Sequence, residues 1–501
     1  MTRELPFAHT STTFEALPDP LRWKSLTVLS VVMFALSLDG FLTYVAIPSM
    51  QEDLAARSAQ MQLIVASFQI ATASFLITGG RIGDLFGRKR MFILGTLGYA
   101  VCWGLCCLLH NIYLIIGLFV IQGLAGALIS PQVLSILSVS FNLKERNKAF
   151  GFYNAALGSG ALLGLFIGGA IVQWFGWRAI FLISVPIYIL AALFAPKFLR
   201  ESRAYFGTSL DLLGVGILAL GLAFMVGSLV VGREAGWPPI AIVCLVGSIA
   251  IIGLFLRYEH LKASAQDSSP LIPEGLLTNR TYVIGLIVAL LYATTQSSFY
   301  FTFVIFIQVG LKFKPLWVAL TLTPMALGFI SGSIFASQLT KRFGQKTLTI
   351  GIILMGLGPL IAYLTLLTNS EKINFIALSI GLMIQGAGMG LITTPLYNMI
   401  LAKVRRAIAG AATGILTTVQ QIGGALGIAI VGVIFFGILG SRQALPNVTQ
   451  AQAYTAAFMG SLWYYLGVCV VIFVLLQFLP RQSTGNTGPL KSPVGKLPGL
   501  D

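Results

Sequence analysis

The chain has 501 residues, of which 10% are charged and 56% hydrophobic, with 54 glycines. A soluble protein carries about a quarter of its residues as Asp, Glu, Lys and Arg, so this inventory excludes a water-covered globule and implies a helical bundle set in lipid. The formal net charge of +16 does not point to nucleic acid, because the basic residues sit in small groups between apolar runs and form no single basic face.

Residues 1–25 read as a polar cytoplasmic tail with no apolar core before a small-residue cleavage site, so no cleaved signal is expected. A bilayer span needs about 20 mostly apolar residues. Runs of that kind, free of Lys, Arg and Glu, number about fourteen. Six lie at 26–48, 61–78, 91–109, 112–136, 149–172 and 179–196, within an N-terminal six-helix bundle spanning 26–200. A two-helix insert (201–256) holds the runs 212–231 and 239–256. A cytoplasmic linker (257–281) leads to the C-terminal six-helix bundle (282–480), with runs at 282–309, 316–339, 347–367, 374–401, 409–438 and 456–479. The Gly-, Pro- and Ser-rich stretch 481–501 reads as a disordered cytoplasmic tail.

With the N-terminus placed in the cytoplasm, 25 of the 32 Lys and Arg residues fall on the inner side and seven outside, and none lies within a run. That loop-by-loop alternation fixes an expected inward N- and C-terminus, in a plasma (inner) membrane. Trp23, Trp174, Trp177, Trp237, Trp317 and Trp463 fall near the expected helix ends, as interfacial anchors do. The five cysteines lie in apolar runs without metal-site spacing, so neither a metal centre nor a cofactor is expected. A weak repeat runs through the chain: Gln122-Gly123, Gly151, Gly160 and Gly164 recur 263 residues later, and Gly87 and Lys89 recur after 257.

The segment Gly80–Arg90 after the second run combines turn-forming glycines with Asp84 and three consecutive basic residues. Gly83, Asp84, Gly87, Arg88, Lys89 and Arg90 are expected to form a charge-paired conformational gate. This order of Gly, Asp, Gly and basic residues resembles the loop signature of the major facilitator superfamily. Leu38-Asp39 with Val45-Ala46-Ile47-Pro48, Trp177-Arg178 with Phe181, and Asp211 with Gly214 resemble its fourteen-span drug:proton antiporter branch. The resemblance covers essentially the whole chain. It implies two six-helix bundles that open a central cavity alternately to each side. The fifth run supplies Gly160, Gly164, Gly168 and Gly169 for close helix packing. Leu165 stands where the branch has proline, and Phe119 where the family has an arginine three residues before the Gln-Gly pair.

Asp39 is the one acid inside a run. Burying an acid at a helix centre costs about 2.5–3.5 kcal/mol on insertion scales, and Asp39 is expected to be the proton-coupling residue. Gln69, Gln122, Asn154, Gln296, Tyr300, Gln385 and Gln420 are candidates to line a substrate cavity, with Phe68, Phe299 and Phe301 as further stacking surfaces. These features favour a secondary active transporter exporting hydrophobic or cationic drugs or toxic metabolites in exchange for protons. The alternative is an exchanger or importer of one small metabolite on the same fold. No Gly-x-x-x-x-Gly-Lys-Ser/Thr loop is present for ATP, and the runs lack the paired acids or histidines an intramembrane enzyme needs. The implied partners are a small molecule, protons and the lipid bilayer; the sequence identifies no accessory efflux protein.

Overall fold

The computed structural model describes residues 20–203, 210–263, 276, 278–368, 374–401, 404 and 409–478. Among them every regular element is helical. The elements are α1 (Arg22–Asp53), α2 (Ser58–Phe86), α3 (Arg88–Leu108), α4 (Ile112–Ser140), α5 (Leu143–Phe175), α6 (Ala179–Phe198) and α7 (Leu212–Glu234). They continue with α8 (Pro239–Ala263), α9 (Arg280–Ile305), α10 (Pro315–Phe343), α11 (Lys346–Thr368), α12 (Phe375–Leu401), α13 (Ala409–Gln443) and α14 (Gln450–Gln477). All fourteen are long and apolar enough to cross a membrane. The expected disordered tail, and most of both the N-terminal tail and the linker, lie outside the described residues.

Side-chain caps mark three helix starts: α4 and α7 begin where their apolar runs begin, while α5 begins six residues before its run. Asn111 accepts from the Tyr113 and Leu114 amides at 2.9 and 3.4 Å, Asn142 from Glu145 at 3.0 Å, and Asp211 from Gly214 at 2.9 Å. One expectation needs correction. Because α14 begins at Gln450, Trp463 lies at its middle and not at an interface end; it meets Tyr363 edge-on at 5.2 Å. A π-helical turn, Phe306–Gly310, follows α9 where the sequence suggested only a continued span.

The described residues fall into two compact units. The first comprises Met1–Leu276, Ala289–Thr323 and Arg405–Ser461. Here α1 packs on α5 and α6, α2 on α4, α3 on α4 and α6, and α7 on α2, α8 and α13. Lipid gives helices no hydrophobic reason to associate, so small residues that admit a neighbouring backbone do much of the work. A Cβ on Gly164 would lie 2.7 Å from the Leu38 carbonyl oxygen, and one on Gly123 would lie 2.5 Å from that of Phe68. Ion pairs tie α1 at both ends, part-buried at Arg22 and exposed at Asp53. Arg22 holds Glu145 at 2.8 Å, and Asp53 accepts from Arg178 at 2.6 Å and the Trp177 indole at 3.2 Å.

The second unit comprises Leu277–Val288, Pro324–Val404 and Leu462–Asp501. Within it α11 lies on α12 through Gly351, Gly358, Gly381 and Gly388, and Gly386 of α12 abuts the Met325 carbonyl of α10. The sequence repeat reappears as packing. Gly123 meets Phe68 as Gly386 meets Met325, joining the 263- and 257-residue spacings in one contact. Gly160 and Gly164 seat on Phe34 and Leu38 of α1, and Gly423 and Gly427 seat on Leu290 and Thr294 of α9.

Candidate functional site

Asp39 lies on α1 and is completely buried. The glycine seam with α5 closes one side of α1 and leaves another for α6. From α6, Ser184 Oγ donates to Asp39 Oδ1, and Tyr188 OH donates to Oδ2 at 2.6 Å. Ser184 and Tyr188 are four residues apart, so one helical face presents both hydroxyls. Rings wrap this cluster. Tyr99 of α3 lies 5.0 Å from the Tyr188 ring, Trp103 follows at 6.0 Å from Tyr99, and Phe181 and Phe119 stand 4.7 and 6.0 Å from Trp103. Each of these side chains is buried. Among the described residues Asp39 has hydroxyl partners and no ion pair. Phe119, standing in for the family arginine, is part of the ring wall.

A second constellation brings together α1, α2, α9 and α13 within the first unit. Gln69 Nε2 donates to Ser297 Oγ at 3.2 Å, and Ser297 also hydrogen-bonds Tyr44. Tyr300 meets Phe41 edge-on at 4.9 Å and lies 6.0 Å from Tyr44. Gly424 leaves room for the Gln69 amide, since a Cβ there would sit 2.6 Å from Nε2. Gln69 Oε1 is buried without a partner, an acceptor ready for a donor.

Of the seven residues expected to line a cavity, Gln69 and Tyr300 thus share one site. Gln296 and Gln420 are half-buried on α9 and α13, and Asn154 is exposed on α5. Gln122 is fully buried, with neither amide atom partnered. Gln385 is buried in the second unit against Gly358. Phe299 and Phe301 are spent on helix packing, against Phe303 and Phe436 respectively.

The Gly80–Arg90 segment joins α2 to α3 through Gly87, whose φ of +111° suits a residue without a Cβ. Arg88 bridges back to Asp84 at 2.9 Å. Lys89 donates to the Pro196 carbonyl at 2.7 Å, and the Lys89 amide to Glu201 at 3.1 Å. Arg90 approaches Glu201 at 3.8 Å. Gly83 accommodates Gln132, whose amide donates to the Gly79 carbonyl at 2.8 Å. Gly160, Gly164 and Gly168 face α1, while Gly169 faces the start of α10 at Pro315.

Sequence reasoning missed Ser184, Tyr188, Tyr44, Ser297 and Glu201. It also missed Glu259, buried on the last turns of α8. The available signal was the Ser-x-x-x-Tyr spacing in the sixth run, which places two hydroxyls on one otherwise apolar face.

Residues 29–212, 206–428 and 286–494 match the family described as Major Facilitator Superfamily. A relative from Streptomyces coelicolor, named "Probable actinorhodin transporter", is 35% identical over 441 residues, covering 87% of this chain and 76% of its own. The puromycin resistance protein of Streptomyces alboniger is 29% identical over 479 residues, 92% of each chain. The crystal structure of an auto-inhibited POT family peptide transporter matches with a TM-score of 0.67 at 13% identity, covering 92% of this chain and 98% of that one, a likeness of fold alone. The chain belongs to the Major Facilitator Superfamily, as a multi-pass membrane transporter of small molecules and not an enzyme.

Proposed function

We propose that the chain exports hydrophobic drugs or toxic metabolites in exchange for protons, by alternating access of its two bundles, with Asp39 as the proton-carrying residue. The observation that carries this reading is a fully buried carboxyl held by two hydroxyls and, among the described residues, by no cation. A carboxyl so placed is costly unless its charge is used. When ionised it accepts from both Ser184 and Tyr188. When protonated it becomes a donor through one oxygen, so the bond on that side must reverse or weaken, and the proton changes how α6 is held on α1. Proton and substrate are then linked through helix packing, since in this conformation Asp39 is closed to any ligand.

The Gln69–Ser297–Tyr44–Tyr300 constellation is the reading's substrate contact, suited to flat aromatic compounds with hydrogen-bonding groups. Asp84 and Arg88 form the inner gate. The names of the relatives support efflux, since they concern an actinorhodin transporter and puromycin resistance. The 25 to seven distribution of Lys and Arg supports cytoplasmic termini in a plasma membrane.

The test is a susceptibility panel of aromatic antibiotics and dyes, puromycin and ethidium included, on cells with and without the chain. Lower susceptibility that vanishes when the proton gradient is collapsed is the expected result. Unchanged susceptibility across the panel, with faster uptake of one nutrient, sinks the export reading.

A further inference from the structure

Asp211 and Gly214, which carry part of the resemblance to the antiporter branch, touch neither Asp39, nor the substrate constellation, nor the Asp84–Arg88 pair. What they build is an ion network at one end of the two-helix insert. Asp211 caps α7 and is 2% exposed; Glu259 of α8 is also 2% exposed. The two carboxylates converge on Gly214, where a Cβ would lie 2.9 Å from Asp211 Oδ2 and 3.0 Å from Glu259 Oε1. Gly214 is therefore small so that two buried acids can share its face.

Two cations answer them. Lys262 pairs with Asp211 Oδ2 at 2.7 Å, and Tyr258 donates to Oδ1 at 3.0 Å. The other cation comes from outside the insert: Arg81 of α2 interacts electrostatically with both Glu259 and Asp211. Its placement follows from the packing one turn away. There Ala73, Ile70 and Ile77 of α2 interlock with Leu218 and Leu222 of α7 and with Phe255 and Ile252 of α8. Arg81 is one turn beyond Ile77 and three residues before Asp84. It is thus the residue of the gate segment that reaches the insert.

A helix pair that merely filled space against α2 would need only the apolar interlock. Four charges held at its end, two of them on buried acids, are costly unless all partners are present, and their best-attested use is to fix register or to switch. We propose that the two-helix insert is a working part of the inner gate: Asp211 and Glu259 hold Arg81, and through it set how readily the Gly80–Arg90 segment changes its contacts. Arg81, Asp211 and Glu259 are positioning residues and touch no substrate. The inference rests on the transporter reading and on the gate role of Asp84 and Arg88.

The test uses the full chain in lipid nanodiscs and liposomes. The double variant Arg81→Met/Glu259→Met withdraws one charge of each sign, so no lone charge is left buried, and keeps the Asp211–Lys262 pair. Its amide hydrogen exchange over residues 80–90 is expected to quicken about tenfold, with ethidium export slowed by a similar factor at wild-type insertion, the size of an ordinary inter-site coupling. A purely structural staple predicts no change in either, because an apolar pair packs there as well. Wild-type exchange at 80–90 together with wild-type export overturns the proposal. Should the double variant fail to insert, Arg81→Lys keeps the charge and alters only its reach, and unchanged exchange at 80–90 in that variant overturns the proposal equally. Exchange needs no substrate, so failure of the wild type to move ethidium strikes the export reading and leaves this measurement standing.

Discussion

Replacing Gly164 by alanine tests whether α1, and with it Asp39, is positioned by a backbone-close seam. The new Cβ would lie 2.7 Å from the Leu38 carbonyl oxygen, 2.9 Å from Phe41 Cβ and 3.2 Å from Leu38 Cα. Carbon contacts settle near about 3.5–4.0 Å, so α5 must retreat by about 1 Å, because none of these atoms can swing aside. Overpacking of this kind costs about 1–3 kcal/mol. Alanine also recovers about 1 kcal/mol of helix propensity, which would mask part of the loss. Gly158→Ala on the same helix cancels that gain, since nothing lies within 4 Å of its Cβ position. The difference between the two variants therefore isolates the seam, at about 1–3 kcal/mol. Thermal unfolding of both proteins in one detergent at one scan rate reads it, and Gly164→Ala should melt several degrees below Gly158→Ala. Leu38 adjoins Asp39, so export should fall in Gly164→Ala alone. Equal melting temperatures would refute the reasoning.

Asp84→Asn should impair export while leaving the amount of inserted protein unchanged. The half-exposed i,i+4 pair it breaks is worth only about 0.3–0.5 kcal/mol to folding, and normal export in quantified membranes would leave the segment as a topology signal only. Tyr188→Phe removes one of the two donors to Asp39. A hydrogen bond to a charged group is worth about 1.5–3 kcal/mol, so the pH midpoint of export should move by about one unit or more, whereas exposed Tyr113→Phe should not move it. The Arg22 guanidinium, by hydrogen-bonding Glu145, holds that carboxyl below the usual glutamate value. The α1–α5 tie is accordingly complete above about pH 4.3 and is lost as pH falls through the lowered folded value. Glu145→Gln should lack this acid-side transition in a melting series across pH, and an identical series in both proteins would show that the tie contributes nothing.

The fourteen helices were legible because each is an apolar run bounded by polar or turn-forming residues, most often with Lys or Arg among them, and lipid leaves few other ways to satisfy a backbone. The gate segment was legible because its glycines and charges are contiguous. Partners supplied by distant helices were not. Ser184 and Tyr188 lie 145 and 149 residues from Asp39, and a hydroxyl in an apolar run looks the same whether it satisfies its own helix or a neighbour's carboxyl. Glu259 was hidden for another reason. Arg257 reads as the end of the eighth run, yet α8 continues to Ala263 and carries Glu259 into a buried position. The same limit misplaced Trp463, because hydropathy marks where lipid is crossed and not where a helix begins. The clustering of Phe119 with Trp103 depended on knowing that α3 and α4 are neighbours.

Asp39→Asn, purified and reconstituted into liposomes, bears most directly on proton-coupled export. For an uncharged compound exchanged one for one, a potential of 100 mV supplies about 2.3 kcal/mol per proton and each pH unit about 1.36 kcal/mol, together a concentration ratio of a few hundredfold. For a monocation such as ethidium the exchange is electroneutral, and the pH term alone gives about tenfold per unit. Wild-type protein should accumulate ethidium or puromycin against its gradient when protons are driven the other way. The variant should insert normally and let the compound equilibrate, without accumulating it under the same imposed gradient. Full proton-driven accumulation by Asp39→Asn would contradict the account and return Asp39 to a purely structural role between α1 and α6.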